Sequence, residues 1–416
     1  MLKVFTYAVI GYGGRGGLYV DLLAKRGEKA LEAVCDIDCK KLDKAVRDTG
    51  ISRDRLYSDP EKFFAAGKLA DALIISTMDR THYEYAVRAL KLGYHLLLEK
   101  PIAESKEECE KIEALAAELG RRVMVCHVLR YSPFYNIIKD KIDSGTLGRV
   151  VTVSQTENVG YFHQAHSFVR GNWGNSDKSS PMILQKCCHD MDIFCYLIGK
   201  DCKSVSSFGS LEYFNEANAP EGSADYCYKC RYRGKCVYDC IKAYAAGGST
   251  ASFLPLTGFY GDGADSAAVE KHFSDEKNRF ARCVYRCDNN VVDHQVTNLL
   301  FDGGITVQLT MTAFSAACVR YIKVHLTEGE IVGDMESNLI KITRFGEAAE
   351  TLDVAELTKG LAGHGGGDAR LVDDFVSLVS GDGGRALTDV SKSVMSHKMS
   401  YAAELSRLNG GKLIEL

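Results

Sequence analysis

The fold class that the sequence predicts is α/β in two domains, and three observations predict it. The chain has 416 residues, well past the size at which one hydrophobic core keeps growing, so two cores are expected. Through its first third, short apolar runs of strand length alternate with amphipathic runs of helix length, the pattern of a parallel sheet covered on both faces. Beyond Gly148 the strand signals alternate apolar with polar residues and carry hairpin turns, in the style of an antiparallel sheet.

The elements of the first domain follow in order. Residues 6–10 form a short buried strand and 18–26 begin a helix, so Gly11-Tyr12-Gly13-Gly14-Arg15-Gly16 falls at a strand-to-helix turn. In a dinucleotide-binding turn the first glycine makes the bend, the second admits the pyrophosphate, and the third lets helix and strand pack closely. The next strand, LEAVCDID, ends on Asp36, about 20 positions on, where a carboxylate accepts hydrogen bonds from ribose hydroxyls and repels a 2′-phosphate; NAD is therefore favoured over NADP. Strand 70–77, helix 82–92, strand 94–100, helix 106–119 and the strand in RRVMVCH complete a Rossmann domain over residues 1–125. Thr77, His82, Glu99 and Lys100 lie at the carboxyl ends of these strands or just beyond. They join Gly11, Gly13, Gly14, Arg15, Gly16 and Asp36 as candidate cofactor-binding residues.

Glu99-Lys100-Pro101, with TMDRTHYEYAVRALKLGYHLLLEKP around it, resembles the Gfo/Idh/MocA oxidoreductase family. The likeness continues through VLRYSPFYNIIKDKIDSGTLGRVV, HDMDIFCYLIG and GHGGGDARLVDDF. It implies a C-terminal α/β domain, here residues 126–416, built on an open, mostly antiparallel sheet. It also implies hydride transfer between a nicotinamide and a hydroxyl-bearing carbon of a sugar, cyclitol or glycoside, in a homo-oligomer. The family's lysine and helix histidine match Lys100 and His189. Oxidising an alcohol requires a base beside the cofactor ring; histidine suits that task, and lysine can stabilise the developing oxyanion. Two other outcomes stay open: a glycosidase of the same fold that recycles bound NAD, and a nucleotide-binding protein without turnover.

One departure concerns His189. The commoner family pattern places an aspartate four residues earlier; here Gln185 stands there, a hydrogen-bonding group without charge. Lys186, three residues before His189, is either a third catalytic group or the partner of Asp190 or Asp192. Upstream, YFHQAHSFVRGNWGN reads as a polar loop around the lone tryptophan, and its Tyr161, His166, Arg170 and Trp173 are candidate substrate contacts, with Gln185. Asp293 and His294, on opposite faces of a strand, are weaker candidates, as is His364.

Cys227, Cys230, Cys236 and Cys240 bring four thiols into fourteen residues, the ligand count of a structural zinc. An iron–sulfur cluster or free or paired thiols are the rivals. The surrounding insertion, about 214–250, reads as a loop with no core of its own, and 260–280 as a polar stretch.

Composition narrows the partners. A formal net charge of −4 offers no basic excess for a nucleic acid, and no apolar run approaches the roughly 20 residues of a membrane span. The first residues run straight into the glycine turn without room for a leader, and 15 cysteines, an odd count, suit a reducing compartment; a cytoplasmic protein is expected. The partner that remains is a small polyhydroxylated molecule.

Overall fold

The computed structural model describes residues 5–27, 30–259, 261, 263, 265–359, 363–381 and 383–416. Six parallel strands open the fold: β1 (Tyr7–Ile10), β2 (Leu31–Cys35), β3 (Leu56–Tyr57), β4 (Ala72–Ile75), β5 (His95–Leu98) and β6 (Val123–Val125). Their order is β3-β2-β1-β4-β5-β6, a doubly wound Rossmann sheet whose crossovers change direction between β1 and β4. A crevice forms at that point, at the carboxyl ends of the strands. The first helix, Gly14–Lys25, starts four residues before the expected 18, so Arg15 and Gly16 sit in its first turn.

The second sheet has nine strands: β7 (Val150–Asn158), β8 (Cys202–Ser210), β9 (His294–Phe301), β10 (Ile305–Thr312), β11 (Val319–Leu326), β12 (Gly329–Asp334), β13 (Leu339–Arg344), β14 (Glu350–Asp353) and β15 (Ile414–Glu415). They run in the order β14-β13-β12-β11-β7-β10-β9-β8-β15. Among the described residues only the β7–β10 pair of this sheet is parallel, which makes the sheet mostly antiparallel, as expected. Gly303 and Gly304, both at positive φ, turn β9 into β10. Ile305, Val307, Leu309 and Met311 then point together into the core, because side chains two apart share a face.

The last two long helices return to the first sheet. Helix Gly363–Ser380 sends Leu371, Val372, Phe375 and Val376 into the core on one face. Helix Val390–Leu408 sends Val390 and Val394 into the core on the other, and Met399, Ala402 and Ala403 into the core of the second sheet. Between them Val125 N–H donates to Thr388 O at 2.9 Å and Met124 bridges Asp389, so the free edge of β6 is covered.

Two expectations are corrected. The polar stretch 260–280 contributes to a core: Val269, Phe273 and Phe280, with Leu254 and Phe259 before it, pack with Cys227, Cys240, Ile241 and Tyr244 of the insertion, with Tyr244 and Phe273 stacked at 4.6 Å. Its apolar residues are hidden among polar ones. Asp265 caps the helix Ser266–His272, and that helix buries Val269 and then Phe273 one turn on. The expected polar loop at 161–173 is largely helical from Tyr161 to Arg170, and every residue from Gln164 to Arg170 is buried.

Candidate active site

A cleft of about 1660 Å³ runs from the glycine turn to the first helices of the second domain. At its nucleotide end Gly11 has φ +90°, and a Cβ there would stand 2.6 Å from Ser76 O. A Cβ on Gly16 would stand 2.1 Å from Gly11 O, whereas Gly13 faces open space. These are the requirements of a bend, a close helix–strand contact and a backbone left bare for a ligand. Asp36 is buried and accepts from Tyr12 N–H at 2.8 Å and Asp38 N–H at 2.9 Å. Its carboxylate keeps lone pairs for further donors, and Lys41 Nζ stands 3.7 Å away.

Arg15 is engaged by protein carboxylates. It pairs with Glu99 and Asp368 at 2.6 Å each and donates to the Tyr19 hydroxyl. Burial pushes the Glu99 carboxyl up, but Arg15, the Tyr19 hydroxyl and Lys100 outweigh it and hold Glu99 below the usual range. Thr77 lines the cleft beside Thr81, its hydroxyl partner at 2.7 Å. His82 ties the backbone carbonyls of Pro101 and Thr77 together.

At the other end Lys100, Gln185, Lys186 and His189 all line the same cleft. Lys100 follows β5, while Gln185 ends the short helix Met182–Gln185 and His189 lies in the first turn of Cys188–Ile198. Lys100 Nζ donates to Gln185 O at 2.6 Å and to Gln185 Oε1 at 2.7 Å, so Gln185 positions the lysine. Lys186 pairs with neither Asp190 nor Asp192; its Nζ stands 3.1 Å from Glu157. Burial pulls the Lys186 ammonium down, but Glu157 outweighs it and keeps the group above its ordinary value. Asp190 accepts from Arg320 Nε at 2.7 Å and Gln155 Nε2 at 2.5 Å, and Asp192 takes both arms of Arg130 at 2.7 Å. Behind His189 sits the fully buried His127, ring centroids 5.6 Å apart and edge to face.

The remaining candidates divide. Trp173 and His166 line the cleft; the indole N–H donates to Asp79 at 3.3 Å, and His166 bonds the Tyr244 hydroxyl. Arg170 is 2% exposed, donates to Tyr238 O, Arg282 O and Cys227 Sγ, and does not line the cleft, so it is no substrate contact. Asp293 is buried, accepts the N–H groups of Glu212 and Tyr213, and holds His294 at 2.9 Å. Neither Asp293 nor His294 lines the cleft, and neither does the half-exposed Tyr161. Strand alternation explains the pair: Asp293 faces inward to hold a turn, and His294 faces outward. The His364 side chain lies outside the described residues. Cys227 and Cys240 come together with Asp239, their ligand atoms within 4.8 Å of one another, while Cys230 and Cys236 are half-buried on adjoining turns.

Sequence reasoning passed over Asp79, Glu157 and Arg320. Glu157 was findable, because it sits on β7 at the same parity as the buried Val153 and Gln155. An acidic residue in an inward register position signals a buried partner.

One cleft thus joins the bare turn at the carboxyl edge of the first sheet to the Lys100 and His189 side chains. A profile described as oxidoreductase family, NAD-binding Rossmann fold, matches residues 5–127, and one for the family's C-terminal alpha/beta domain matches 139–413. The chain therefore belongs to the Gfo/Idh/MocA oxidoreductase family. It is 25% identical over 322 residues to the putative oxidoreductase YteT of Bacillus subtilis, covering 73% of this chain and 72% of that one. It is 29% identical over 219 residues to inositol 2-dehydrogenase 4 of Saccharopolyspora erythraea, covering 52% of this chain and 60% of the relative. The fold superposes on an inositol dehydrogenase homolog from Azotobacter vinelandii, solved with NAD+, at TM-score 0.71, 17% identity, and 100% and 98% coverage. Among the described residues no helix is long and apolar enough to cross a membrane.

Proposed function

We propose that the protein is an NAD-dependent dehydrogenase acting on a hydroxyl-bearing carbon of a sugar, cyclitol or glycoside. The observation that carries this reading is the single cleft that joins the bare backbone at Gly13 and the Asp36 carboxylate to Lys100 and His189. These residues fit a dinucleotide: Gly13 leaves room for the pyrophosphate, and Asp36 has lone pairs for ribose hydroxyls and repels a 2′-phosphate. Bound NAD supplies the hydride acceptor. His189 takes the proton of the substrate hydroxyl, and the Lys100 ammonium, steadied by Gln185, stabilises the alkoxide as the carbon–hydrogen bond breaks. His163, Ser167, Asn172 and Trp173 line the remaining wall, a polar surface with one broad aromatic suited to a polyhydroxylated ring. Inositol dehydrogenases among the relatives support that substrate class.

We place the enzyme in the cytoplasm, where free thiols stay reduced, as a homo-oligomer. The outer face of the nine-stranded sheet, with Phe208 and Leu300 exposed, is the surface for self-association.

The test is reduced-nicotinamide absorbance from cofactor-stripped protein given NAD and a panel of sugars, cyclitols and glycosides. A rise that His189→Ala abolishes is expected. Release of an aglycone without net NADH would move the assignment to redox-neutral glycoside cleavage. NAD binding with no reaction on any compound would leave a nucleotide-binding protein.

A further inference from the structure

His127 is fully buried behind the reacting end of the cleft, and neither of its ring nitrogens has a hydrogen-bond partner among the described residues. A neutral imidazole carries one donor and one acceptor. Buried polar atoms in folded proteins are nearly always paired, so two left unpaired in one ring are costly and call for a reason.

Most of what surrounds the ring is engaged elsewhere. Arg130 gives both arms to Asp192, whose nearest oxygen stands 3.8 Å from His127 Nε2, beyond hydrogen-bond reach. His397, 5.5 Å away between ring centroids, accepts Ile102 N–H on Nε2 and turns Nδ1 to Ser393 O. Glu99 is held by Arg15 and Tyr19, and Lys100 by Gln185. Burial, with Arg130 and Lys100, pulls His127 well below the ordinary histidine range, so the ring is neutral. The neighbour that opens onto the cleft is His189, whose ring meets His127 edge to face at 5.6 Å.

In the dehydrogenase reaction proposed above, His189 becomes an imidazolium with two N–H donors. Its charged surroundings oppose that. Lys100, Lys186 and Arg320 line the same end of the cleft with His163, while the carboxylates that pair with Lys186 and Arg320, Glu157 and Asp190, are fully buried behind them. Gln185 offers no charge to offset them and spends both oxygens on Lys100. We propose that His127 is the positioning residue of His189: its neutral ring accepts from the imidazolium and fixes the orientation in which the base meets the substrate hydroxyl. This is an uncharged counterpart of the carboxylate that orients a triad histidine. His127 passes no proton onward, because Asp192 and His397 are already bonded. The proton taken from the substrate therefore stays on His189 and leaves by the cleft.

The first test needs no substrate, although the assignment rests on the dehydrogenase reading. His189 is titrated by NMR in isotope-labelled protein as purified, its signal identified by its loss in His189→Gln. His127→Phe keeps a ring and removes the nitrogens, and is expected to lower the His189 pKa by about one unit. His127→Gln keeps an acceptor and is expected to lower it by about half as much or less. In steady-state kinetics with NAD and substrate, His127→Phe is expected to cut kcat about tenfold with KM little changed. The acid limb of its kcat/KM–pH profile is expected to move down with the titration. An unshifted His189 in a folded variant would overturn the proposal, as would an acid limb that stays in place while kcat falls. Should His127→Phe not fold, the His127→Gln titration reads the same contact through its smaller shift. If the unaltered protein reduces no NAD with any compound, the dehydrogenase reading fails and the titration still decides whether His127 supports His189.

Discussion

At Lys100 one neutral amide governs how the ammonium is presented. Both oxygens of Gln185 accept from it, and Gln185→Glu would put a carboxylate at the same place without changing size. That carboxylate would compete with a developing alkoxide for the ammonium, and kcat/KM is expected to fall about tenfold, read from initial rates with NAD and substrate. Asp36 is the second decisive residue. Under the proposed function, Asp36→Ala removes the carboxylate set to face the ribose hydroxyls and frees Lys41, 3.7 Å away, for a 2′-phosphate. The ratio of kcat/KM for NAD over NADP is expected to fall at least about tenfold, read from steady-state kinetics with both cofactors. Asp36, Lys100 and His189 were legible because short motifs carry them. The Glu157–Arg320 pair was not, since it joins distant strands that pair only in the fold, 2.8 Å apart.

Among the elements, the helix Val390–Leu408 carries a histidine whose burial sets a pH dependence. His397 is fully buried, and its Nε2 accepts Ile102 N–H at 2.8 Å. Burial, aided by His127, pulls it from 6.5 down to about 3. The native chain therefore keeps His397 neutral while the unfolded chain protonates it below 6.5. Its contribution is complete above that value and is lost as pH falls toward 3. At about pH 5 the loss is about 2 kcal/mol relative to about pH 8. His397→Asn, which keeps an acceptor in reach of Ile102 N–H, is expected to flatten that part of the urea-unfolding stability profile by this amount. The helical run within residues 161–173 was not legible. Its polar side chains are buried by the insertion, and a composition-based reading takes polarity for exposure.

Across the whole molecule, the alternation of strands and helices made the Rossmann layer readable, and strand alternation did the same for the second sheet. Long-range closure was not readable. Leu371, Phe375 and Val394 enter cores whose other members lie hundreds of residues earlier, and no local pattern announces a distant partner. That return has a consequence for biosynthesis. On the ribosome the first sheet emerges early, yet both of its faces and the edge at β6 wait for residues 363–408. Until residues 363–408 have been translated, part of each face of the nucleotide layer and its β6 edge lack their native cover, and apolar surface left open in this way is what makes a partly made chain prone to aggregation. The first sheet is thus closed only after most of the second has been made.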